Sequence, residues 1–164
     1  MTDEIYEHIV YGGQRHISLA TLGDMAERTI TINGLSKTYS ATGWRVGWAI
    51  APKTLATAMR RTHDFLTVGS PHPLQIAGAK ALSLPQSYYD ELAKSYQAKR
   101  DRFVQGLRSA GLDCRTPGGA YYVMADVSGF PFTDDWAFAM YLVERLRVAA
   151  VPGSSFYGNP EDGA

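Results

Sequence analysis

The sequence predicts an α/β fold, and three observations carry the prediction. Runs at residues 29–32 and 46–51 read as strands on either side of a loop rich in glycine and hydroxyls. Residues 85–110 carry a long helical periodicity, and beyond them strand-like and helix-like segments alternate between glycine turns. A compact chain of 164 residues forms one domain or two small ones and buries about 70% of its unfolded surface.

The elements follow in order. Asp3-Glu4-Ile5-Tyr6 opens the chain, and residues 7–26 read as a helix start and a connecting loop broken at Gly12-Gly13. After the second strand, Pro52 starts a helix whose Leu55, Met59, Thr62 and Leu66 share one face, with Gly69 suited to its C-terminal turn. Ser70-Pro71-His72-Pro73 reads as a turn or extended link before a short helix over residues 74–82. The long helix over 85–110 carries an apolar stripe of Tyr89, Leu92, Tyr96, Phe103 and Leu107, turns Lys94, Lys99, Arg100 and Asp101 to solvent, and ends at Gly111. Residues 120–125 read as a strand, with Tyr121 and Tyr122 assigned to the core. Thr133 is the expected N-cap of a helix reaching Leu146, with Asp134 and Asp135 beside its positive end and Trp136, Met140 and Val143 on one face. A short strand over 148–151, a turn at 152–157 and a polar loop over 159–164 follow.

The loop between the first two strand-like runs carries the chemistry. It sets Lys37 and Arg45 eight positions apart among Ser36, Thr38, Ser40 and Thr42, with Gly34, Gly43 and Gly47 free to approach a ligand or take positive φ. A lysine and an arginine at that spacing alone describe a solvated surface loop. A phosphate-binding P-loop is excluded, because its glycines would have to stand where Ser36 and Thr31 do.

The complete string is more specific. Gly34-Leu35-Ser36-Lys37, then Ser40-Ala41, Gly43 and Arg45-Val46-Gly47 resembles the lysine motif of the class I/II aminotransferases, enzymes of fold type I that use pyridoxal 5'-phosphate (PLP). The wording SKTYSATGWRVGW is most similar to the kynurenine, glutamine and methionine aminotransferase branch. The resemblance implies that Lys37 forms the internal Schiff base and that Arg45 binds the cofactor phosphate, with Ser36 a weaker phosphate candidate. An Asp-Glu-(Ile/Val)-Tyr motif precedes the lysine in such enzymes, and Asp3 stands 34 residues before Lys37. The match implies that Asp3 pairs with the pyridinium nitrogen and that Tyr6 binds the ring hydroxyl. A protonated ring nitrogen keeps PLP an electron sink, which explains the carboxylate. The patterns GGAYYVMADVSGF and VAAVPGSSFYG also resemble the family, which implies that the glycines opening the first line the substrate pocket by their backbone and that both stretches otherwise serve packing.

The resemblance further implies three parts: residues 1–84 as the C-terminal part of a large cofactor domain with a mostly parallel sheet, 85–110 as an interdomain helix, and 111–164 as a small α/β domain. Family members are roughly twice as long or more, so a phosphate loop before Met1 and a substrate-carboxylate arginine after Ala164 are expected in a longer chain. The expected reaction is ping-pong transfer of nitrogen from an amino acid to a 2-oxo acid, in a full-length homodimer. A carbon–sulfur β-lyase on the same site, an aminotransferase-like domain of a transcription regulator, and an inactive truncated remnant are the alternatives.

Composition narrows the partners. Sixteen basic residues balance sixteen acidic ones, which gives no bulk attraction to nucleic acid or anionic membrane. Cys114 is the only cysteine, which excludes an internal disulfide and fits a reducing compartment. The start is acidic where a secretory signal is basic, so cytoplasm is expected. His8 and His63 lack ligand spacing, His16 reads as structural, and no metal site is proposed.

Overall fold

A computed structural model of the chain describes residues 1–159 and 162, so most of the polar loop expected over 159–164 lies outside the described residues. It forms two compact units. One comprises Met1–Lys99 together with Gly118–Tyr121; the other comprises Arg100–Pro117 and the residues from Tyr122 onward.

The first unit is built on a three-stranded mixed sheet. Strand β1 (Thr2–Asp3) runs parallel to β2 (Thr31–Gly34), which pairs antiparallel with β3 (Gly47–Ile50). Both predicted strands form, but β2 begins two residues later than expected and extends through Gly34. The reason is its contact with β3: Gly34 pairs with Gly47, and a Cβ on Gly47 would lie 2.8 Å from the Asn33 carbonyl oxygen. Two backbones can meet that closely only where side chains are missing.

Residues 7–26 do not continue a helix. Short 3-10 turns at Leu19–Thr21 and Met25–Arg28 carry the chain to β2. Ile9, Tyr11, Leu35 and Thr38 form the buried centre of this unit. Helix α1 (Lys53–Leu66) follows the Pro52 cap as expected, yet none of its residues is buried, and Leu66 is 75% exposed. The left-handed residue after it is Val68 (φ 61°), whereas Gly69 was the expected one. Helix α2 (His72–Leu82) starts two residues early, because Pro73 sits in its first turn, where a missing N–H costs nothing.

Helix α3 (Gln86–Ser109) is the longest element and passes from the first unit into the second. Gly111 (φ 85°) ends it as expected. Its buried residue in the second unit is Val104, while Phe103 of the expected stripe is 53% exposed. Arg100 was expected to face solvent; instead its guanidinium donates to Asp101 and to the Pro117 carbonyl, at 3.0 Å for the latter.

The expected strand over 120–125 is a correction. Ala120 adopts φ 58°, and this left-handed step breaks the extended run, so that only Ala125–Asp126 (β5) pairs, with Asp113–Cys114 (β4). Tyr121 and Tyr122 are 39% and 56% exposed and are not core residues. Residues 148–151 form no strand, since Arg147 (φ 60°) turns the chain and Val148 and Val151 are exposed.

Helix α4 (Asp135–Tyr141) continues as a π-helical turn over Leu142–Leu146. Its cap is Asp134, whose carboxylate accepts from the Ala137 N–H at 2.7 Å; the Thr133 hydroxyl is a neutral and weaker competitor for that role. The buried face presents Phe138 and Ala139, with Phe130 and Phe132 against Phe138, while Trp136, Met140 and Val143 are exposed. Among the described residues no helix is long and apolar enough to cross a membrane.

Candidate active site

All five residues singled out in the sequence lie in the first unit. Asp3 ends β1 beside Ile32 of β2, and Lys37 follows β2 within the loop that leads to β3. The loop closes on its own backbone: Leu35 N–H donates to the Val46 carbonyl at 3.0 Å, and Ala41 N–H to the Leu35 carbonyl at 3.3 Å. The Thr42 hydroxyl adds a bond to the Ser36 carbonyl at 2.9 Å. Leu35, immediately inside the loop, is 1% exposed, and a Cβ on Gly78 of α2 would meet its methyl at 3.0 Å. The lysine therefore stands on a segment fixed from below by apolar packing and from within by hydrogen bonds.

Glycine does less here than expected. Gly43 has open space around it, and the positive φ values of the loop fall on Ser40 (53°) and Arg45 (54°). Arg45 is exposed, and its guanidinium donates to the Thr42 carbonyl at 3.0 Å. Ser36 takes part through its carbonyl.

Lys37 Nζ donates to the Tyr121 hydroxyl at 2.8 Å. The Tyr6 ring meets the Tyr121 ring edge-on, with centroids 5.2 Å apart. The structure thus gathers Lys37 and Tyr6 around Tyr121, and places Asp3 three residues before Tyr6 at the end of the adjoining strand. Asp3 is exposed and accepts from the Ile5 N–H at 3.1 Å.

The residue just past the strand is turned inward. Glu4 is 5% exposed, and its carboxylate accepts from His16 Nε2 at 2.9 Å, from the Ser18 hydroxyl at 2.9 Å and from the Leu19 N–H at 3.3 Å. Burial pushes the Glu4 carboxyl upward, but the bonds from His16, Ser18 and Leu19 outweigh it and hold the group below the ordinary range. A buried, fully bonded carboxylate fixes β1 to the following loop and so fixes the place from which Asp3 projects.

Behind the lysine lies a group of phenols. Tyr39 and Tyr89 share a hydroxyl–hydroxyl bond at 2.8 Å, Tyr39 stacks on Tyr88 at 5.9 Å, and the Tyr88 hydroxyl donates to the Thr38 carbonyl at 2.7 Å. These contacts tie the lysine loop to the start of α3. Sequence reasoning missed Glu4 and this group as supports, and Tyr121 as a site residue. The Asp-Glu pair did hold one signal: on a strand neighbouring side chains take opposite faces, so an exposed Asp3 implies an inward Glu4 that needs partners.

This fold and this loop belong to a known class. The sequence pattern of the aminotransferase class I and II family matches residues 1–163, and the chain belongs to that family. It is 39% identical to a kynurenine–oxoglutarate transaminase of Dictyostelium discoideum, over 96% of this chain and 40% of that protein. An aspartate aminotransferase of Rhizobium meliloti is 40% identical, over 98% of this chain and 42% of that one. Among solved structures, the N-succinyldiaminopimelate aminotransferase of Mycobacterium tuberculosis superposes with a TM-score of 0.90 at 37% identity, over 94% of this chain and 40% of that one. The chain thus spans about 40% of the length of the relatives it matches. Its fold is the mixed α/β fold of fold-type I aminotransferases and covers part of the large domain.

Family members use PLP, and the side chains of this unit can be compared with that group. Its aldehyde, ring nitrogen, ring hydroxyl and phosphate call for an amine, a carboxylate, a phenol and a cation. Lys37, Asp3, Tyr6 and Arg45 supply one of each, and Lys37 and Tyr6 converge on one ring. The residues present fit the group.

Proposed function

We propose that this chain carries the lysine half of a PLP-dependent aminotransferase site and that the whole protein moves nitrogen from an amino acid to a 2-oxo acid. The observation that carries the proposal is the Lys37 amine, mounted on a braced loop and held 2.8 Å from a phenol that Tyr6 also touches. Bound there, PLP supplies an electron sink for charge developing at a substrate α-carbon.

The chain's own residues do the rest. Lys37 holds the cofactor through its amine and, when that amine is free, takes and returns a proton at Nζ. The Asp3 carboxylate keeps a proton on the ring nitrogen by charge pairing. Tyr6 orients the ring through its hydroxyl. Arg45 anchors the phosphate with a guanidinium suited to two parallel bonds, and Ser36 is a secondary phosphate contact. A homodimer in the cytoplasm is part of the same proposal; Cys114 is buried and unpaired, in keeping with a reducing compartment.

Exchange at Asp3 tests the assignment. Asp3→Ala retains cofactor through Lys37 and Arg45 but loses most transamination, and Asp3→Glu is milder. Oxo-acid formation from an amino acid, with and without an added oxo-acid acceptor, is the assay. Parental turnover in Asp3→Ala refutes the role of the carboxylate. Release of pyruvate and ammonia without an acceptor, in place of transfer, contradicts transamination.

A further inference from the structure

Tyr121 stands outside the Asp-Glu-Ile-Tyr and lysine motifs, yet it touches the reactive amine. Its hydroxyl lies 2.8 Å from Lys37 Nζ, while the ring centroid lies 5.3 Å away. Those two distances put the amine beyond the hydroxyl end of the ring and not above its face, so the oxygen makes the contact and the π-cloud does not.

The phenol is held in place from several sides. Tyr6 packs on its ring edge-on at 5.2 Å and Tyr96 lies nearly parallel to it at 6.2 Å, with 17° between planes. The backbone beneath it is strapped to the buried segment Ile9–Tyr11: Gly119 bridges Val10, Ala120 N–H donates to the Ile9 carbonyl at 2.9 Å, and the Tyr11 hydroxyl donates to the Ala120 carbonyl. Ile9 and Tyr11 are 0% and 2% exposed, so the strap rests on the buried centre of the unit. The left-handed Ala120 is the step that turns Tyr121 out of a strand. A sparsely populated backbone conformation thus stands directly before the phenol that meets the lysine, held there by the bonds from Ile9 and Tyr11.

We propose that Tyr121 is a further residue of the active site, a phenol that holds the Lys37 amine during the intervals when that amine is not bonded to the cofactor. The chemistry suits both proton states of Nζ. The hydroxyl oxygen accepts from the ammonium, and the O–H donates to the neutral amine's lone pair. The amine is thereby kept at the hydroxyl of Tyr121 in either state, which shortens its search when it must take a proton or re-form its bond. This inference rests on the PLP reading of Lys37.

Competitive acylation of the cofactor-free protein tests it. At low conversion, peptide mass spectrometry reads labelling of Lys37 against Lys53 and Lys80 in the same sample. The amine's free lone pair attacks the acyl carbon of the reagent and expels its leaving group, and both hydrogen-bond arrangements withhold that lone pair. Tyr121→Phe keeps the ring contacts with Tyr6 and Tyr96 and removes only the hydroxyl. The labelling of Lys37 then rises about two- to tenfold, the range that one hydrogen bond of ordinary net strength allows, with Lys53 and Lys80 unchanged. An unchanged Lys37 ratio overturns the proposal. Borohydride trapping of the parental protein with PLP separates this result from the cofactor reading. An adduct on Lys37 together with an unchanged labelling ratio overturns the holding role alone. A raised ratio without an adduct on Lys37 establishes the bond but overturns the cofactor reading, and the role in the reaction with it.

Discussion

Removal of the Glu4 carboxylate should loosen β1, and the geometry sets the size of the effect. Its three bonds come from His16, Ser18 and Leu19, at 2.9, 2.9 and 3.3 Å. A bond to a charged acceptor contributes about 1.5–3 kcal/mol and a neutral one about 0.5–1.5 kcal/mol. His16 is 31% exposed on its side chain, so its bond belongs at the lower end, and the Leu19 bond is long. The three do not add fully, because Ser18 and Leu19 share one oxygen and gain water when it is lost. Glu4→Ala should therefore cost about 3 kcal/mol near neutral pH, and Glu4→Gln, which keeps the shared oxygen, about 1–2 kcal/mol. Urea unfolding with an unchanged m-value measures both. The pH dependence follows from the lowered carboxyl: its contribution is complete above the unfolded-state value of about 4.3 and is lost as pH falls through the lower folded value. The gap between parental protein and Glu4→Gln should thus close in acid. A Glu4→Ala protein within about 0.5 kcal/mol of parental stability, the scatter of ordinary surface changes, would refute the buried network as a support.

Two other perturbations probe the bracing of the lysine loop. Gly47→Ala drives a Cβ against the Asn33 carbonyl and should cost about 1–3 kcal/mol while exposing the loop to limited proteolysis; parental resistance to protease would contradict the close pairing of β2 and β3. Burial, then the Tyr89 bond, then nearby charge hold the Tyr39 phenol protonated well above its usual range. Stability should be intact below the unfolded-state value of about 10 and fall as pH rises beyond it, a slope that Tyr39→Phe should reduce in a set of alkaline unfolding curves.

Much of this architecture is legible in local signals. Pro52, Gly111 and the glycine-flanked loop mark real boundaries because each acts on its own backbone, and α3 follows from periodicity sustained over more than six turns. What escapes is set by contacts between distant segments. No local propensity shows that Ala120 turns left-handed, because the bonds that hold it come from Ile9 and Tyr11. The same strap converts an apparent core tyrosine into a partner of Lys37. The apolar faces expected on α1 and α4 also mislead, since periodicity reports which side chains align and not whether anything covers them; Leu66 and Trp136 remain exposed. The motif of the candidate site stands out in the sequence for a different reason. Lys37, Arg45, Asp3 and Tyr6 are chemically distinctive types at fixed separations, whereas their supports, Glu4 and the Tyr39–Tyr88–Tyr89 group, look like ordinary composition.

The central claim is that Lys37 is the amine that bonds PLP, and reductive trapping tests it most directly. Protein saturated with PLP is reduced with borohydride, digested and mapped by mass spectrometry. The account predicts one dominant pyridoxyl adduct, on Lys37, that disappears in Lys37→Ala. A dominant adduct on Lys53 or Lys80, or one that persists undiminished in Lys37→Ala, would contradict it.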